Sequence, residues 1–138
     1  MFETVVVGAD DSAGAAKALR RALDLVRTSG GTLHVVSALR PREETPVPAL
    51  PEEFRYTHLG AGATDFMHGQ LRVTAEREHV HVETHPVLAD PVDAITRGAA
   101  EEEADLIVVG SRDDHGTRRL SGVSRGVMDR ASCAVLVV

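Results

Sequence analysis

The spacing of apolar residues along the chain changes several times, and each change marks an element. Val5-Val6-Val7 form a short apolar run closed by Gly8, the pattern of a strand buried on both faces. From Ala15 the period lengthens. Ala15, Ala18, Leu19, Ala22, Leu23 and Val26 recur at helical spacing, while Lys17, Arg20, Arg21, Asp24 and Arg27 occupy the other faces. Asp11 or Ser12 can cap this helix by accepting from a free amide, and Gly30-Gly31 ends it where positive φ is needed. Thr32 to Val36 returns to a strand.

Residues 40–56 hold Pro41, Pro46, Pro48 and Pro51 among Glu43, Glu44, Glu52 and Glu53, and proline's missing donor prevents regular pairing, so this segment is a long loop. Leu59, Ala63, Phe66 and Val73 keep helical phase from about Leu59 to Glu78, against the weakening effect of Gly60, Gly62 and Gly69. His79 to Val87 alternates, with Val80, Val82 and Thr84 on one face and His79, His81, Glu83 and His85 on the other, as a half-exposed edge strand does. Asp90-Pro91 opens a third helix, which runs to about Glu103. Leu106 to Val109 is a fully apolar central strand ending at Gly110, and Val135 to Val138 is the last strand. Leu120, Val123, Val127 and Ala131 set a fourth helix between them.

Five strands separated by four helices predict an α/β fold: an open, three-layer, Rossmann-like parallel sheet in the order 3-2-1-4-5. In that order the winding reverses between strands one and four. The turns after Gly8 and Gly110 then flank one crevice at the strands' carboxyl ends, where a small ligand is expected.

Length and charge narrow the function. At 138 residues and 14.7 kDa the chain is one domain, 1–138. With 43% hydrophobic and 26% charged residues it has enough apolar surface for a real core, which argues against disorder. A net charge of −6 provides no overall field for nucleic acid or an anionic membrane. No signal-peptide pattern opens the chain and no apolar stretch approaches the ~18 residues of a membrane span, so a cytoplasmic protein is expected. Cys133 is the single cysteine, consistent with a reducing compartment and a small apolar role. Lys17 is the only lysine among the 15 basic residues, and no function is drawn from it.

The segment from Gly110 to Ser124 leads from a strand into a helix and carries small residues and hydroxyls. Free amides at a helix start favour anions, phosphate especially. Arg112, Arg118, Arg119 and Arg125 outweigh Asp113 and Asp114 there, making residues 112–125 locally positive. Other chemistries lack their motifs. Gly-Lys-Ser/Thr is missing, and Gly8 to Gly14 does not spell the dinucleotide fingerprint. Asp10-Asp11 has no phosphoacceptor aspartate after the third strand and no lysine after the fifth. Ser111, His115 and Asp10 lack the elbow of a hydrolytic triad. His79, His81 and His85 present a metal-ligating pattern if a third ligand converges on them, though a solvated edge face is the plainer explanation. Phe54 and Tyr56 place aromatic rings in or beside the proline-rich loop, where a lid over a base would need them.

Five pieces in order and spacing resemble the universal stress protein family. They are Val6 to Ser12, Leu33 to Val36, Asp90-Pro91, Asp105 to Arg112, and Cys133 to Val138. The resemblance covers nearly the whole chain and implies the same 3-2-1-4-5 sheet. It further implies adenine-nucleotide binding, ATP or a related nucleotide with Mg2+ as companion, and a homodimer through the Val135–Val138 strand. Asp10 matches the family's acidic residue near the nucleoside, and Val35 the residue whose backbone meets adenine. The family's phosphate loop reads Gly-x-x-Gly, nine residues, then Gly-Ser or Gly-Thr. Here Gly110 matches the first glycine, and Asp113 replaces the second. Aligning Ser121-Gly122 with the final pair leaves the loop two residues short; anchoring on Gly122 leaves it one short, with Val123 at the hydroxyl position. Asp113 adds repulsion toward phosphate oxygens, which Gly116 and the arginines can offset.

The expected nucleotide site is therefore Asp10, Val35, Gly110, Arg112, Gly116, Ser121, Gly122, Val123 and Ser124, in a regulatory stress protein with at most slow ATP hydrolysis. The alternative is a homodimeric stress-response module that has lost nucleotide affinity and acts through protein contacts.

Overall fold

The computed structural model describes residues 2–10, 12–39, 61–114 and 117–138, with 61–63, 112–114 and 117–119 described through their backbone. Asp11, the 40–56 segment with Phe54 and Tyr56, Leu59, Gly60, His115 and Gly116 lie outside the described residues. The elements are β1 (Thr4–Gly8), α1 (Ala13–Ser29), β2 (Thr32–Ala38), α2 (Ala61–Glu78), β3 (His81–Val87), α3 (Pro91–Glu101), β4 (Leu106–Val109), β5 (Arg112–Asp114), β6 (Thr117–Arg119), α4 (Gly122–Arg130) and β7 (Ala134–Val137). Five strands form one parallel sheet ordered β3-β2-β1-β4-β7, which is the expected 3-2-1-4-5 winding. A small antiparallel hairpin, β5 with β6, stands apart from it and pairs Asp113 with Arg118. The sequence pattern predicts only a segment leading from a strand into a helix there, with no hairpin.

Alternation along the central strands divides the core. Val5, Val7, Leu33, Val35 and Val108 pack with Ala18, Ala22 and Val26 of α1 and Leu71 of α2. Val6, Val36, Ile107 and Val109 pack on the opposite face with Ala94 and Ile95 of α3 and Val127 of α4. The caps are local. Ser12 Oγ accepts from the Ala15 amide at 3.1 Å, and Gly30 closes α1 at φ 74°. Asp90 caps α3 by accepting from the Val92 amide at 3.1 Å, with Pro91 in the first turn. The Asp105 carboxylate accepts from the Thr4 and Glu3 amides, both at 2.9 Å, which holds its carboxyl below the usual range and ties the start of β1 to the turn before β4. Cys133 is partly buried against the α3–α4 side of the core, and desolvation pushes its thiol above the ordinary value.

Four sequence expectations are corrected. In α2 the apolar phase through Phe66 and Val73 faces outward, at 68% and 51% exposure, while His68, Leu71 and Ala75 are buried. Apolar residues are too sparse there to fix a face by period alone. The buried face instead includes a polar side chain, His68, which is satisfied by Ser37 Oγ at 2.9 Å and held mainly by burial below the ordinary histidine pKa. Strand β3 starts two residues later than expected, because His79 takes a left-handed φ of 54° in the turn after α2. In α4 Leu120 precedes the Ser121 cap and is partly exposed, and α3 stops at Glu101, with Glu103 left-handed at φ 52°.

Candidate functional site

The carboxyl ends of β1, β2 and β4 meet the amino ends of α1, α3 and α4 around a cleft of about 460 Å³. That is the size of an ordinary small-ligand pocket, and it lies where the sheet reverses its winding. From β1 come Gly8, Ala9 and Asp10; from β2, Val36 and Ala38; from β4 and its turn, Val109, Gly110 and Ser111. The helices add Ser12 to Ala15 and Lys17, Pro91 and Ile95, then Ser121, Val123 and Ser124.

The approach of α1 to the β4 turn depends on two glycines. A Cβ on Gly110 would sit 2.4 Å from the carbonyl carbon of Gly14, and one on Gly14 would sit 2.5 Å from the Ser111 carbonyl oxygen. Backbone therefore lies directly on backbone, and the α1 amino end is brought to the cleft floor. The β4 turn is tied to the end of β7 as well: the Ser111 amide and hydroxyl both donate to the Val138 carbonyl, at 2.8 and 2.7 Å.

Asp10 is exposed at the cleft mouth, with Oδ1 accepting from the Ser12 amide at 2.8 Å. That bond orients the carboxylate toward the start of α1 and fixes the turn. Ser121, which also lines the cleft, caps α4, its Oγ accepting from the Ser124 amide at 3.0 Å. Ser124 is fully buried; its hydroxyl donates to the Gly110 carbonyl at 2.5 Å and lies 2.9 Å from Ser121 Oγ. Two helix amino ends thus open on one cavity, and their unpaired amides and dipoles make it receptive to an anion.

The structure brings Asp10, Gly110, Ser121, Val123 and Ser124 of the expected set to this cleft. Gly122 lies beside it as the first residue of α4 and is exposed. The Val35 side chain packs into the core on the α1 side, a placement that does not bear on the backbone contact expected of it, and Val36 and Ala38 line the cleft. Arg112 belongs to the β5–β6 hairpin through its backbone, and Gly116 lies outside the described residues. Sequence reasoning missed Lys17. It is exposed along the cleft on α1, one helical turn beyond Ala13, and the available signal was that the helix carrying it starts at the switch point.

The three histidines of the edge-strand pattern do not share a site. His79 sits in the α2–β3 turn and His81 is exposed, whereas His85 packs against His34 of the neighbouring strand. Among the described residues no helix is long and apolar enough to cross a membrane.

Comparison with known proteins agrees with this architecture. The model of the universal stress protein family matches residues 1–138. Universal stress protein Rv1636 of Mycobacterium tuberculosis is 30% identical over 143 aligned positions, which span 99% of this chain and 96% of that protein. A crystal structure of a universal stress protein in complex with cAMP superposes at a TM-score of 0.72 with 27% identity, over 99% of this chain and 97% of that one. The universal stress protein from Archaeoglobus fulgidus in complex with dAMP gives 0.67 and 25%, over 97% and 95%. With a doubly wound sheet and a cleft at its switch point, the chain belongs to the universal stress protein family.

Proposed function

We propose that this chain is a regulatory stress protein of the cytoplasm that binds ATP or a related adenine nucleotide in the switch-point cleft. The observation that carries the reading is that Asp10 and Ser121 line one cavity into which the amino ends of α1 and α4 open. The cAMP and dAMP complexes of the relatives support an adenine nucleotide as the ligand class. In this reading the Asp10 carboxylate accepts from ribose hydroxyls, and the end of β2 meets the base. The amino ends of α1 and α4 receive phosphate oxygens, with Lys17 as their point charge and Mg2+ as the nucleotide's companion.

The cleft binds and signals, with at most slow hydrolysis. Occupancy would change contacts with a second copy or a protein partner. Strand β7 is an edge with Leu136 exposed, and we place a two-fold dimer contact there. Light scattering should then give twice the chain mass, and Leu136→Lys should return it to the monomer value. An unchanged mass in that variant would move the dimer contact elsewhere.

Calorimetry on nucleotide-stripped protein tests the cleft. ATP, ADP or AMP should bind at millimolar or tighter Kd. Lys17→Ala should weaken ATP about tenfold, roughly 1.4 kcal/mol, while leaving adenosine unchanged. Equal losses for both ligands would remove Lys17 from the phosphate site. No binding of any of the three would instead favour the protein-contact module, a reading that rests on Asp113 standing at the position of the family's second loop glycine.

A further inference from the structure

We propose that His34, Glu83 and His85 form a binding site for a divalent transition-metal ion, Zn2+ foremost, on the sheet face beneath α3. The proposal is independent of the nucleotide reading. Parallel register places His34 of β2 directly beside Glu83 of β3, and His85 follows on the same face two residues later. No single segment contains the trio. His34 Nδ1 lies 2.9 Å from His85 Nε2 and 3.1 Å from Glu83 Oε2, and the candidate ligand atoms of the three residues all fall within 4.8 Å of one another.

These separations fit one ion. With metal–ligand bonds of about 2.0–2.1 Å, the two edges from His34 subtend roughly 90–100° at the metal and need open by only a few tenths of an ångström for tetrahedral geometry, while the exposed Glu83 side chain has the rotamer freedom to set the third edge. Two imidazoles and one carboxylate select a borderline ion such as Zn2+ over Mg2+ or Ca2+, which prefer all-oxygen shells.

The surroundings favour a cation. His34 is buried, so its ring is held in place, and its other nitrogen, Nε2, is 3.7 Å from Glu102 Oε2. At that distance the carboxylate makes no hydrogen bond to the ring, but its negative charge behind His34 favours a cation on the other nitrogen. Glu101 and Glu102 sit at the carboxyl end of α3, where the helix dipole is negative. Among the described residues Arg97 is the one cationic side chain lining the adjoining cavity of about 130 Å³, against Glu101 and Glu102. That cavity borders both histidines and has space for a water as fourth ligand. Bound metal would staple the edge strand β3 to β2.

The test is titration of ZnCl2 into tag-free, chelator-stripped protein without nucleotide, followed by calorimetry, with Co2+ absorption as a second readout. One equivalent should bind at about micromolar Kd or tighter, Co2+ should show the visible bands of a low-coordinate nitrogen–oxygen site, and the melting temperature should rise. His85→Gln and Glu83→Gln should each weaken binding at least ~10-fold, and the double variant His79→Gln/His81→Gln should leave it unchanged. Absence of binding at millimolar Zn2+, retention of full affinity in His85→Gln, or loss of affinity in the His79/His81 variant would overturn the site. Should His85→Gln not fold, an octahedral, water-like Co2+ spectrum in the unsubstituted protein would overturn it alone.

Discussion

Gly110→Ala is expected to lower stability by about 3 kcal/mol, the upper part of the range for forcing atoms into a filled space, and to lower the melting temperature by roughly 10 °C. The added methyl would lie 2.4 Å from the Gly14 carbonyl carbon, 2.5 Å from its oxygen and 2.9 Å from the Ala15 amide nitrogen. These are backbone atoms, with no flexible side chain to swing aside. Relief requires α1 to move away from the end of β4, which opens the cleft floor and misdirects the helix amino end. Nucleotide affinity should fall with stability. Gly69→Ala is the control: nothing lies within 4 Å of its added methyl, and an alanine inside α2 should be neutral or stabilising by about 0.5–1 kcal/mol. Urea unfolding of both variants measures the difference. Equal stability for the two would mean that α1 does not rest on Gly110.

Ser124→Ala is expected to cost about 1–3 kcal/mol, because it removes the donor to the partly buried Gly110 carbonyl and the link between β4 and the Ser121 cap. Ser124 is fully buried, and its hydroxyl joins Gly110 at the end of β4 to the Ser121 cap of α4. Its role is positional: it holds the two sides of the anion-receptive wall together. The loss should appear in the ligand-free protein by chemical denaturation. A variant with unchanged stability and weakened ATP binding would instead make the hydroxyl a direct phosphate ligand. Ser121→Ala removes the helix cap and should cost about 1 kcal/mol.

Much of this architecture was legible because the central strands and α1 carry strong, unambiguous periods. Val5 to Val7 and Leu106 to Val109 are apolar at every position, and such strands have few places except the middle of a parallel sheet covered on both faces. Asp90-Pro91 and Ser12 marked helix starts through local hydrogen-bond chemistry, which depends on a few neighbouring residues. Where the pattern was thin, the reading failed: α2 has apolar residues on two phases, and the choice of face was made by Ser37, a residue of β2 that offers His68 its partner. No property of residues 61–78 alone contains that information.

The site was legible in part for the same reason. Asp10, Gly110 and Ser121 stand at ends of elements, and topology alone brings such ends together. Val35 and Val36 differ by one residue and so face opposite sides; the sheet's pairing with the helices, not the strand's composition, put Val36 on the cleft. Lys17 carried no motif and acquired a candidate role only when α1 was laid along the cavity.

Taken alone, the chain of residues determined the element types, the parallel winding and the location of a crevice, since these follow from period, caps and the handedness of crossovers. Tertiary structure decided the close passage of Gly14 over Gly110, the burial of Ser124, and the meeting of His34 with Glu83 and His85. Each of those depends on strand register or helix docking, which are set by the whole packed core and leave no trace in the spacing of any one segment.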